Sequence, residues 1–217
     1  MSIILFNLLF ELANLLLLIN LFLITRKFIQ KKVPSKLFPF FFYLIISVIE
    51  YLFFELRRLS IFLSISSALY IDLFFGLMHY VLLSATIIYD GKICVKKYLL
   101  STIIASVIFI CFFIYRDILN GTYYSVSASN FSLILVCIVY IYELLISNDY
   151  NGFNSNPLFY ILIGVFVGTT LIFPILLFGK QIKNFISDVA YYWVACIAPF
   201  SSIIMYSLFI KGINKIK

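Results

Sequence analysis

The sequence predicts an all-α membrane protein: a seven-transmembrane-helix bundle with its N-terminus outside and its C-terminus cytoplasmic. Three observations carry this reading. With 64% hydrophobic and 12% charged residues and a mean hydropathy of +1.12, the chain is too apolar to clothe itself in a water-compatible surface. Its apolar residues gather into seven segments, each near the length of about 20 residues that a helix needs to cross hydrocarbon. Its sixteen lysines and arginines collect at the ends of those segments, where they fix orientation and meet anionic lipid. A net charge of +7 distributed in this way points to a membrane surface and not to nucleic acid.

In chain order the predicted spans are residues 3–25, 38–56, 61–89, 99–118, 131–146, 158–178 and 189–210, read as one domain over 1–217. The first lacks a basic leading region and a small-x-small cleavage site, and its positive charges follow it, so it is expected to stay in the mature protein. Seven spans put Arg26, Lys27, Lys31, Lys32, Lys36, Lys92, Lys96, Lys97, Lys211, Lys215 and Lys217 on one side. Arg57, Arg58, Arg116, Lys180 and Lys183 fall on the other, so eleven of the sixteen basic residues choose the first side as cytoplasmic. Connections are short, and the two most polar, Asn120 to Asn130 and Asn148 to Asn156, read as solvated loops.

Polar residues interrupt three successive spans at helical spacing. Asn7, Glu11 and Asn14 share one face of the first span; Tyr43, Ser47 and Glu50 one face of the second; Asp72, Gly76 and His79 one face of the third. Counting about 1.5 Å per residue, Glu11, Glu50 and Asp72 lie at similar depth in the outer half of the membrane, able to share one cavity. Intramembrane acids cost a few kcal/mol each, which supports two readings. In one, the groups line a pocket or proton pathway, with Asp72 or Glu50 carrying the proton and His79, the single histidine, titrating near neutral pH. In the other they hydrogen-bond one another and hold helices in register. Glu143 follows Tyr140 on one face near the inner end of the fifth span, where it snorkels to the interface, pairs with basic loops or lines an inner cavity mouth.

Other features are structural. Gly164 and Gly168 form a GxxxG surface for close helix approach, and Thr169 and Thr170 offer interhelical hydrogen bonds. Pro174, and Pro199 beside Ser201 and Ser202, should bend their helices. Tyr191, Tyr192 and Trp193 make an aromatic belt at the outer interface, and Glu55 with Arg57 and Arg58 an ion cluster at the membrane edge.

No catalytic residue, cofactor or metal is implied. One histidine excludes an HExxH pair, and no GxSxG, P-loop or GxGxxG occurs. Cys94, Cys111, Cys137 and Cys196 have neither metal nor redox spacing. The last span has no lysine for a Schiff base or a serine–lysine pair. The Tyr142-Glu143-Leu144-Leu145 helix end, the Asn156-Pro157-Leu158-Phe159 helix start, Gly168-Thr169 with Pro174, and Met205-Tyr206-Ser207 resemble small bacterial seven-helix membrane proteins of unknown function. That resemblance implies a membrane location and seven spans, and no activity.

The function expected is a non-enzymatic sensor, receptor-like or partner-binding module of the bacterial cytoplasmic (inner) membrane. Its expected partners are membrane lipids and another membrane or cytoplasmic signalling protein. The rival readings are a small-molecule or proton-coupled transporter or channel, and an intramembrane hydrolase.

Overall fold

The computed structural model describes residues 2–58, 65–90, 96–120, 124–146 and 156–216, and among these every regular element is helical. The helices are α1 (Ser2–Ile29), α2 (Phe38–Arg58), α3 (Ile65–Asp90), α4 (Lys96–Asn120), α5 (Tyr124–Ile146), α6 (Pro157–Phe185), α7 (Asp188–Ala195) and α8 (Ile197–Asn214). They supply seven stretches long and apolar enough to cross a membrane, the seventh being Asp188–Asn214, made of α7 and α8 together. Residues 61–64 of the predicted third span, Cys94, and residues 148–155 of the second predicted loop lie outside the described residues.

Local chemistry sets the helix ends. Past α1 the chain turns through a left-handed Lys31, φ 55°, with the Lys31 N–H donating to Phe28 O and the Lys32 N–H to Lys27 O. This is the paired bond pattern that closes a helix, with lysine where glycine is usual. Asn156 caps α6, its side-chain oxygen accepting the Leu158 N–H at 3.0 Å, and Pro157 fills the first helical position, where a missing N–H costs nothing. Ser187 caps α7 by accepting from the Ala190 N–H.

One expectation needs correction. Of the stretch from Asn120 to Asn130 predicted as a solvated loop, Asn120 ends α4 and residues 124–130 are the first two turns of α5, with Ser125, Ser127 and Ser129 buried; residues 121–123 lie outside the described residues. Asp117, fully buried on α4, accepts the N–H groups of Tyr124 at 3.0 Å and Ser125 at 2.6 Å, so an acid from the preceding helix caps this one. Ser129 and Asn130 donate their side-chain hydrogens to the carbonyls of Ser125 and Val126, which is how so polar a sequence stays helical inside. The two proline-bearing spans are built differently from each other. α6 runs through Pro174 as one helix, whereas the last span is interrupted at Cys196, one turn before Pro199, which has no N–H for the Ala195 carbonyl. Ser201 and Ser202 both donate to the Ala198 carbonyl beside that break.

Neighbouring helices close into a ring in the order α1, α2, α3, α5, α6, α8 and back to α1, while α4 packs outside it on α5 and α3. The largest interface joins α6 and α8. There the predicted GxxxG does its expected work: a Cβ on Gly164 would come within 3.0 Å of Met205 O, and one on Gly168 within 3.1 Å of Met205 Cβ. Gly212 completes the seam from the other side, where a Cβ would lie 2.7 Å from Pro157 O. Thr169, expected to bond between helices, instead donates within α6 to Val165 O at 2.7 Å, and Thr170 is exposed. α1 and α8 run parallel. Asn20, fully buried on α1, donates to Tyr206 O at 2.9 Å, and further along Lys27 Nζ donates to Ile216 O at 2.5 Å.

Candidate functional site: a polar cavity inside the helix ring

The ring encloses two adjoining chambers. One, of about 370 Å³, lies among α1, α2, α3, α6 and α8; the other, of about 460 Å³, among α2, α3, α5, α6 and α8. Glu50, Asp72, Ile172 and Ser202 line both, so the two acids stand where the chambers meet. Both volumes fall in the range of small-ligand sites.

Each helix contributes through its periodicity. On α2, Tyr43, Ser47 and Glu50 point inward together, as their spacing requires: Tyr43 and Ser47 are buried, and Glu50 opens onto the cavity with 42% of its side chain accessible. Asp72, Gly76 and His79 of α3 all line the second chamber. His79 Nε2 lies 3.2 Å from Ser47 Oγ and 3.6 Å from Glu50 Oε2, and its ring packs on Tyr43 with centroids 5.0 Å apart. Ser47 Oγ is also within hydrogen-bond distance of Tyr43 O, at 2.9 Å, and the imidazole tautomer decides which atom of the Ser47–His79 pair donates. The Glu50 and Asp72 carboxyls are near enough to interact electrostatically.

Two of the three polar stripes therefore face the cavity. The first does so only in part: Asn14 lines the first chamber, whereas Glu11 and Asn7 are exposed and line neither chamber. The face α1 turns inward carries Ala13, Leu17, Asn20 and Ile24, and Glu11 sits well away from it. Glu143 falls near the end of α5, with its side chain outside the described residues, as are those of Arg57 and Arg58.

Rings shape the remainder. Phe6 and Phe10 of α1, Tyr51, Phe53 and Phe54 of α2, and Phe75 of α3 wall the first chamber, with Phe10 packed against Phe54 at 5.2 Å and Phe53 against Phe75 at 5.9 Å. Beside the second, Phe209 meets Phe40 and Tyr43 edge to face. These rings were invisible as a set in the sequence, since each follows its own helix's period and only the ring order brings them together. Asn130 of α5, read as loop, also lines the second chamber.

Seven apolar helices are compatible with a polytopic membrane protein. No family model, curated protein or solved structure matches the chain.

Proposed function

We propose that the chain is a receptor-like module of the bacterial cytoplasmic membrane, binding a ligand in the cavity of its helix ring and passing the event to a partner protein by helix movement. The observation that carries this reading is the convergence of Glu50, Asp72 and His79 on chambers large enough for a small molecule. Groups that serve only as glue need no such space beside them. The distribution of basic residues supports an N-terminus outside and a C-terminus in the cytoplasm. Lys27 and Ile216 meet at one end of the ring, so the end rich in positive charge includes the ends of both α1 and α8. The interrupted last span offers a joint at Cys196 through which movement at Ser202 reaches α7.

The test keeps shape and removes charge. Asp72→Asn should leave a folded, well-expressed protein that loses its cellular phenotype, and His79→Gln, which cannot titrate near neutral pH, is its companion. Normal phenotype in both would leave only the structural role. Proton-coupled transport is the second reading, favoured by two chambers that meet at a pair of acids; proteoliposomes in which wild-type protein carries a solute or proton flux that Asp72→Asn abolishes would replace the receptor reading with it. Labelling of single cysteines should find position 31 cytoplasmic and position 120 outside, and the reverse pattern would overturn the orientation.

A further inference from the structure

The chemistry of the two chambers narrows the ligand, and the inference rests on the ligand-binding reading above. Two carboxyl groups, Glu50 and Asp72, stand at the junction, and no lysine or arginine is among the residues that line either chamber. His79 is the single basic side chain on the walls. The lining is thus acid-rich, and a cation placed between two carboxyls relieves their mutual repulsion. On one side of the acids stand the seven rings of the first chamber, and ring faces attract an organic cation most strongly when it is desolvated.

We infer that the joined chambers form one site for an organic ammonium ion bearing an apolar, ring-sized body. Its nitrogen sits between Glu50, Asp72 and the rings. An inorganic cation would leave the ring wall unused, and an anion would face both acids.

The experiment uses two probes of one shape. Benzyl-dimethyl-(2-hydroxyethyl)ammonium carries the charge, the ring and the hydroxyl; 3,3-dimethyl-4-phenylbutan-1-ol replaces its nitrogen by carbon. Binding of each to the full chain in nanodiscs, with protein-free nanodiscs as blank, should favour the cation by about tenfold or more, equivalent to about 1.4 kcal/mol. Asp72→Asn and Glu50→Gln should each bring the two probes close to equal affinity. Phe54→Leu should weaken the cation by about threefold with less effect on the alcohol. Equal binding of both probes to wild-type protein would overturn the cation inference while leaving the ligand-binding reading in place. Binding of neither by protein that remains folded would overturn the inference too, and the receptor reading is then judged by its own phenotype test.

Discussion

Glycine behaves in opposite ways on the two sides of the ring. Along the α6–α8 seam, Gly164, Gly168 and Gly212 are pressed against the facing helix: a Cβ on Gly212 would collide with Pro157 O, and one on Gly164 or Gly168 would make an unusually tight contact with Met205. Across the ring on α3, Gly76 faces the cavity, and the nearest atom to its missing Cβ is Ser129 Oγ at 4.0 Å. The same residue thus closes one interface and widens a chamber elsewhere. In a lipid-like setting, where apolar side chains gain little by leaving their surroundings, helix association depends on close contact. The α6–α8 seam supplies that contact, which lets the α2–α3 side remain hollow.

Substitutions that press on this contrast should rank by how much contact they disturb. The largest loss is expected for Gly212→Ala, whose new methyl meets Pro157 O; overpacking of this kind costs about 1–3 kcal/mol, read as a lower thermal midpoint in detergent, and an unchanged midpoint would mean the seam is looser than drawn. Next comes Asp117→Ala, which removes both acceptors from the start of α5 and should cost about 0.5–2 kcal/mol; hydrogen exchange should rise first at Tyr124 and Ser125. Asn20→Leu cuts the α1–α8 bond to Tyr206 O, and interhelical polar contacts average about 0.6 kcal/mol, so a loss of several kcal/mol would show the tie to be far stronger than its kind. Smallest is Gly76→Ala, expected to leave stability within about 0.5 kcal/mol while narrowing the cavity. A large destabilisation there would erase the difference between the two sides.

The spans were legible because an apolar run of the right length is a strong signal, and the α2 and α3 stripes because helical period fixes which residues share a face. Period does not say which face meets a neighbour. That is why Glu11 was placed with Glu50 and Asp72, when Ala13, Leu17 and Asn20 hold the inward side of α1. The start of α5 was misread because serine and asparagine in a row resemble a loop, and only the structure shows them bonding to their own helix under a cap from Asp117. Gly212, far from its Pro157 partner in sequence and without a second glycine four residues away, left no motif to read. Ring order, and with it the aromatic wall, arises from pairings such as Asn20 with Tyr206 that local pattern cannot reveal.

The Asn20 tie also bears on biogenesis. A chain threaded into the membrane from its beginning delivers α1 first and α8 after six other spans, yet one carbonyl that receives the Asn20 amide belongs to α8. Until α8 is made, the Asn20 amide of the nascent α1 has only its own helix to bond, through Leu16 O, and its second acceptor comes when α8 closes the ring. A chain stalled before Tyr206 leaves that second bond unmade, so the bond that completes the native ring also marks, by its absence, an unfinished molecule.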